Sequence, residues 1–275
     1  MAERTIGIIA GKGLYPPTFA TAARANCPGV RLVCAAFTGE TEPKFADEVD
    51  SISWFRVGQL GKMLKFLRKE GVQEAVMVGQ ISPDNLFNLR PDLRVVLMLA
   101  KLKRRNAETI FGALADELAK DKIDLLPATT FLDHLLAPVG HIAGPTFSNR
   151  EVDDATYGFG IAKESSRLDI GQSVVVRQGT VVAVEAFEGT NECIRRGGQL
   201  GRGKDLILAK VSKPDQDLRF DVPVLGPHTI DVCAEAGVHG IVVEAGLTLL
   251  LGKDEIFQRC QDRKVTLHGL ASSTD

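Results

Sequence analysis

The chain has 275 residues, 44% of them hydrophobic and 25% charged, which suits an ordinary buried core in one large or two ordinary domains. Its net charge of −2 excludes a general electrostatic grip on nucleic acid, so no nucleic-acid partner is expected. Five scattered cysteines (Cys27, Cys34, Cys193, Cys233, Cys260) form no C-x-x-C pair and are odd in number, which fits free thiols in a reducing cytoplasm better than a disulfide framework.

The first half alternates strand and helix signals. An apolar run, Thr5 to Ala10, comes so early that no signal peptide is expected, and it ends in Gly11-Lys12-Gly13. No apolar run reaches the roughly 18 residues that cross a bilayer. Pro16 and Pro17 can open a helix running to about Ala25. Val30 to Phe37 is a second strand. Gln59 to Glu70 has helical spacing in Leu60, Met63, Leu64 and Leu67, and it stops at Gly71. Ala75 to Val78 is a third strand, closed by Gly79. Leu97 to Arg105 runs from apolar into basic residues, which suits either anionic lipid headgroups or the cationic end of a helix. Asn106 caps a helix built on Ile110, Ala113, Leu114 and Leu118. This alternation predicts α/β structure: a Rossmann-like parallel sheet with helices on both faces.

From Ala137 to Arg150 the texture turns rich in glycine and proline, so domains are expected at 1–137 and 151–275 with a linker at 138–150. The second half predicts a further α/β domain. A helix is expected over Glu151 to Arg167, and a hairpin over Ser173 to Gln178 and Thr180 to Glu185 around Gly179. Another helix starts at Glu188 or Gly189. A strand at Leu206 to Val211, a helix at His228 to Ala236, a strand at Gly240 to Glu244 and a final helix and strand within Asp254 to Leu267 complete it.

The densest chemistry lies in 213–226. Asp215, Asp217 and Asp221 crowd together with Lys213 and Arg219, between Pro214 and Pro223, which stop a helix. Carboxylates suit a hard cation and Arg and Lys suit phosphate, although a solvated loop with salt bridges has the same composition. Gly11-Lys12-Gly13-Leu14 follows a strand and precedes a helix, a place where backbone N–H groups can meet an anion, but the G-x-G-x-x-G fingerprint is incomplete. Gly79-Gln80 follows another strand, at the edge where α/β ligands collect. Glu185, Glu188, Thr190, Arg195 and Arg196 follow a strand in an order that helix-dipole energetics alone would also produce. The histidines have no zinc spacing, and no Gly-x-Ser-x-Gly elbow is present. His228 is read as a helix-start residue.

Several longer strings carry a resemblance. They are Ile8 to Gly13, Asp169-Ile170-Gly171-Gln172-Ser173 to Val176, Ala183 to Thr190, Lys213-Pro214 through Arg219-Phe220-Asp221-Val222-Pro223, and Gly240 to Gly246. Together they resemble, nearly end to end, the LpxI-type UDP-2,3-diacylglucosamine hydrolases of lipid A biosynthesis. The resemblance implies a UDP-binding N-terminal domain and a C-terminal domain for catalysis and lipid. It implies hydrolysis of the substrate pyrophosphate to UMP and 2,3-diacylglucosamine 1-phosphate (lipid X), by water attack at the α-phosphorus with Mg²⁺, or Mn²⁺ in its place. Asp221 falls on the family's essential aspartate. Asp217 is a second catalytic candidate, and Asp221, Asp217 and Glu185 are the candidate metal ligands. Gly11, Lys12, Gly13, Leu14, Gly79, Gln80, Gln172, Glu188, Thr190, Lys213 and Arg219 are the candidate substrate contacts. Two departures from the family pattern are Val224, often threonine, and Asn191, often aspartate. Expected partners are the lipid-linked sugar nucleotide and, peripherally, the inner membrane surface of a cytoplasmic protein, with a homodimer left open. The competing expectation is a non-catalytic sugar-nucleotide or dinucleotide sensor. A nicotinamide enzyme would need an acid at the end of the second strand, and Phe37-Thr38-Gly39 offers none before Glu40.

Overall fold

The structure, a computed structural model, describes residues 4–82, 91–104, 106–214 and 216–272. Asp215 and Arg105, both noted in the sequence, lie outside the described residues. The chain divides into two compact units, Met1–Asp133 with Asp217–Asp221, and His134–Gln216 with Val222–Asp275.

The first unit holds β1 (Thr5–Ala10), α1 (Tyr15–Asn26), β2 (Arg31–Phe37), β3 (Ser51–Phe55), α2 (Leu60–Lys69), β4 (Glu74–Val78), α3 (Leu93–Ala100), α4 (Ala107–Lys120) and β5 (Asp124–Leu125). The strands form one sheet in the order β3-β2-β1-β4-β5, and every pair is parallel. Strands buried on both faces read as continuous apolar runs, which is why β1, β2 and β4 were legible and the half-exposed β3 was not. The chain steps from β1 to β2 to β3, then returns past β1 to form β4. Right-handed crossovers therefore put α1 and α2 on opposite faces and leave a switch point between β1 and β4. The face of α2 packs Met63, Leu64 and Leu67 against Ile9, Val33, Ala35 and Met77, with Val95, Met98 and Leu118 from α3 and α4. Gly71, at φ +75°, ends α2 as its composition predicts.

The second unit holds β6 (Gly140–Ala143), α5 (Asn149–Arg167), β7 (Ser173–Arg177), β8 (Thr180–Val184), α6 (Thr190–Leu200), β9 (Leu206–Lys210), β10 (Val224–Leu225), α7 (Pro227–Glu235), β11 (Val238–Glu244), β12 (Leu249–Leu250), α8 (Lys253–Arg263) and β13 (Thr266–Leu270). Six strands form a mixed sheet in the order β6-β13-β11-β9-β7-β8. The sheet is sandwiched. Ala155, Phe159 and Ala162 of α5 cover Val174, Val176, Ile207 and Ala209. On the other face Ile194, Ile230 and Ile256, from α6, α7 and α8, pack with Val175, Leu206, Leu208 and Val243. The β7–β8 hairpin turns through Gln178 (φ 48°) and Gly179 (φ 73°). Two consecutive positive φ values are what a tight antiparallel turn of the right twist requires. A capping box, Ser148 with Glu151, starts α5. The stretch read as a linker contains β6, which pairs antiparallel with β13 at the sheet edge. Val224 begins β10, paired to β12, and Asn191 lies in the first turn of α6.

Candidate functional site

The loops after β1 and β4 meet at the switch point of the first sheet. The Gly11 N–H donates to the Val78 carbonyl at 2.8 Å, the Lys12 N–H to the Gln80 carbonyl at 2.8 Å, and the Gln80 N–H back to the Lys12 carbonyl at 3.2 Å. Glycine is required for this approach. A Cβ on Gly11 would lie 2.7 Å from the Gln80 nitrogen, and one on Gly79 (φ +93°) would lie 2.8 Å from the Lys12 carbonyl oxygen. The Lys12 N–H is therefore committed to Gln80, and Pro16 and Pro17 remove two more donors at the start of α1. Gly13, Leu14 and Tyr15 supply the backbone donors at that end, with the Lys12 ammonium, which donates to Ser82 Oγ at 3.0 Å. Gly11→Ala should destabilise the protein by about 1–3 kcal/mol, since backbone on both sides must shift. Urea unfolding of the variant against wild type measures it.

One participant was passed over in the sequence. Glu40, buried just beyond β2, accepts from the Ser82 N–H at 2.7 Å and from Ser82 Oγ at 3.0 Å. Lys12, Ser82 and Glu40 thus tie together the loops that follow β1, β4 and β2. Its signal in the sequence is an acid shortly after the second strand, separated from Phe37 by Thr38 and Gly39.

The Asp217–Asp221 segment belongs to this same unit. It is a self-closed turn. The Asp217 carbonyl accepts from the N–H groups of Phe220 (3.2 Å) and Asp221 (3.0 Å), and the Asp217 carboxylate accepts from the Arg219 N–H at 3.1 Å. Aspartate initiates turns by such bonds. The Arg219 guanidinium then clamps the same carboxylate, Nε to Oδ1 at 2.9 Å and Nη2 to Oδ2 at 2.6 Å. These bonds hold the Asp217 carboxyl below its usual range. The Leu218 carbonyl accepts from the Ala128 N–H at 2.8 Å.

Phe220 seats the turn. Its ring lies 5.7 Å from that of Phe111, and it lines a cavity of ≈ 150 Å³ at the C-terminal edge of the sheet. Gly11, Gly79, Phe37, Met63, Met98 and Leu114 are among its other walls, and among the described residues Gln59 is the one polar side chain lining it. An apolar cavity of about this volume accepts a benzene-sized piece of hydrocarbon.

The other candidates lie in the second unit. Glu185 Oε1 accepts from Thr190 Oγ1 at 3.1 Å, and Thr190 Oγ1 accepts in turn from Lys210 Nζ at 3.0 Å. Glu185 Oε2 is buried without a hydrogen-bond partner among the described residues. Burial, aided by Glu185, pushes the neighbouring Cys193 thiol up to about 12, which rules against a thiolate nucleophile there. Glu188 pairs with Arg196 at 2.5 Å and is held below its usual range by that bond. Arg195 pairs with Glu192 one helical turn away, so both arginines have ordinary structural partners. Lys213 is bonded to Asp169, 44 positions away in sequence. Gln172 accepts the Val211 N–H through its carbonyl at 2.9 Å. His228 sits in the first turn of α7, as expected.

The carboxylates fit a divalent ion only in part. No group of three or more His, Cys, Asp or Glu disposed to hold a metal occurs among the described residues. Both oxygens of Asp217 are taken by Arg219, which makes it a poor ligand. Asp221 is the other acid of this turn among the described residues, and Mg²⁺ is commonly held by one or two carboxylates, with water and phosphate completing its shell.

Family models describing the LpxI N-terminal domain and the LpxI C-terminal domain match residues 5–135 and 138–268. The chain belongs to the LpxI family. The UDP-2,3-diacylglucosamine pyrophosphatase LpxI of Caulobacter vibrioides is 32% identical over 269 residues, covering 94% of this chain and 95% of that protein. Among solved structures, the biotin carboxylase domain of Hydrogenobacter thermophilus 2-oxoglutarate carboxylase covers 64% of this chain and 35% of its own at 10% identity and TM-score 0.28. Phosphoribosylglycinamide synthetase of Anaerococcus prevotii covers 64% and 32% at 13% identity and TM-score 0.26. Scores this low carry no argument about an LpxI protein. No helix among the described residues is long and apolar enough to cross a membrane.

Proposed function

We propose that the chain hydrolyses the pyrophosphate bond of UDP-2,3-diacylglucosamine, releasing UMP and lipid X. The observation that carries this is the seat of Phe220. It lines an apolar cavity one residue from Asp221, so hydrocarbon in the cavity would bring a phosphorylated headgroup to the acidic and basic turn. The LpxI relative named for this activity supports the reading.

In this proposal Asp221 holds the attacking water or the metal ion. Asp217 has a different part from the one first expected. By clamping Arg219 it fixes a planar guanidinium that can meet phosphate oxygens in pairs. Lys12 and the N–H groups of Gly13 and Leu14 supply further positive potential at the same sheet edge. A bound Mg²⁺ or Mn²⁺ would neutralise charge on the pyrophosphate. Gln172, Glu185, Glu188, Thr190 and Lys213 are kept as substrate or metal contacts of the second unit. Of these, Glu185 is the most open to a ligand, because one of its oxygens is buried and has no hydrogen-bond partner among the described residues.

Purified protein with UDP-2,3-diacylglucosamine and Mg²⁺ should yield UMP and lipid X in equal amounts. Chelation by EDTA should suppress turnover, and Mg²⁺ or Mn²⁺ should restore it. Full activity in excess chelator would remove the metal from the proposal. A sensor would bind the sugar nucleotide without releasing UMP. Turnover in ¹⁸O-water identifies the phosphorus attacked, since label enters UMP on attack at the α position, which the family resemblance implies, and lipid X on attack at the β position.

A further inference from the structure

Helix α3 has two apolar faces and only one of them is covered. Val95 and Met98 point inward, are buried and line the apolar cavity. Leu93, Val96, Leu97 and Ala100, at the i, i+3, i+4, i+7 spacing of a single stripe, are exposed, with Leu93 at 74%, Val96 at 47% and Leu97 at 55% of their full surface. A surface helix that is apolar on its outer side needs a partner that is apolar too.

The charge beside the stripe says which partner. Residues 93–104 contain no acid, and the helix runs directly into Lys101, Lys103 and Arg104, all exposed. Arg94 does not add to this patch, because it is bonded to Glu117 (2.5 Å) and Asp121 (2.7 Å). Leucine and valine flanked by exposed cations form the pattern of a helix lying in a membrane interface, side chains among the acyl chains and ammonium groups at anionic headgroups.

We infer that the outer face of α3, with Lys101, Lys103 and Arg104, docks on an anionic lipid bilayer. One helix would then face the bilayer on its outer side and line the hydrocarbon cavity on its inner side. That is a short route for a lipid-linked substrate leaving the membrane. The use of this route rests on the hydrolase reading, but the docking itself does not, since vesicle binding requires no turnover.

The test is co-sedimentation of the full chain with phosphatidylcholine vesicles, with and without phosphatidylglycerol. Wild type should bind the anionic vesicles and bind neutral ones weakly. Leu93→Ser/Leu97→Ser should bind anionic vesicles about tenfold less, because apolar burial supplies much of the affinity. Lys101→Glu/Lys103→Glu/Arg104→Glu should lose the preference for phosphatidylglycerol. Unchanged circular dichroism and melting temperature certify that the variants are folded. Equal vesicle binding by wild type and the serine variant overturns the inference. So does a stripe that holds two copies together, seen as a dimer in wild type and a monomer in the serine variant, with vesicle binding unaffected. In activity assays the serine variant should lose turnover of substrate in vesicles and keep it in detergent micelles. Loss in both would overturn docking as the reason. Wild type inactive in both would sink the hydrolase reading and leave the vesicle-binding result to stand or fall alone.

Discussion

Asp221→Ala is expected to leave a folded protein that has lost most of its hydrolysis, on the order of 10²-fold or more in rate, because charge neutralisation and water positioning fail together. The turn should survive. It is closed by the Asp221 N–H on the Asp217 carbonyl, by the Arg219 clamp and by Phe220 in its apolar seat, and the substitution removes none of these. Substrate affinity should persist, since the cavity walls are unchanged. Asp221→Asn should be as impaired, because the amide keeps the shape and loses the negative charge. UMP release under saturating Mg²⁺, alongside circular dichroism, measures both variants. Turnover within about threefold of wild type would move the catalytic carboxylate elsewhere, with Glu185 next to be tried.

The second large effect is on stability. Glu244, at the end of β11, is 1% exposed as a side chain, and both its oxygens are in use. Lys163 Nζ donates to them at 2.9 and 3.1 Å, the Ser212 N–H donates at 2.7 Å, and the Ser272 hydroxyl donates as well. Lys163 also donates to the Ser212 carbonyl at 3.0 Å, so both backbone groups of the residue just ahead of Lys213 are fixed by one ion pair. Glu244→Ala leaves the half-buried Lys163 ammonium with the Ser212 carbonyl but without its counter-charge, and leaves the Ser212 N–H without its acceptor. The cost should be about 2–4 kcal/mol, at the lower part of the range for broken buried pairs because Lys163 keeps some contact with water.

Acid should weaken the same network. Burial pushes the Glu244 carboxyl up, but the bonds from Ser272, Lys163 and Ser212 outweigh it and leave the group below its usual value. A carboxyl depressed on folding stabilises the protein above its unfolded value, about 4.3, and loses that contribution as pH falls through the lower folded one. Urea midpoints taken from pH 7 downward should therefore converge for wild type and Glu244→Gln in strong acid. Parallel curves throughout would show that the ion pair contributes nothing.

Much of the fold was legible because local signals and tertiary burial agree. Ile6–Ala10 is apolar throughout and is buried on both faces, the Leu60–Leu67 stripe lies on the core, and Gly71 and Gly179 stand where positive φ is needed. The misses have physical causes too. The pairs β5, β10 and β12 are two residues long and leave no periodic trace. Strand β6 hides in a stretch of glycine and proline, composition that an edge strand tolerates because one side of its backbone needs no partner.

For the site, the clustering of Asp217, Arg219 and Asp221 was visible as spacing, and the turn they form follows from it. Which charges pair was not visible. Lys213 reaches Asp169, and Arg219 takes both oxygens of the aspartate two positions before it. The cavity could not be read at all. Its walls come from Ile9, Phe37, Leu60, Met77, Met98, Phe111 and Phe220, on separate elements, and each residue alone looks like core.

The most direct measurement is UMP formed from UDP-2,3-diacylglucosamine by the purified chain in Mg²⁺, run beside Asp221→Ala. Stoichiometric UMP and lipid X from wild type, with the variant folded and nearly silent, is the predicted result. No UMP above the enzyme-free control, across several acyl lengths and with either Mg²⁺ or Mn²⁺, would contradict it.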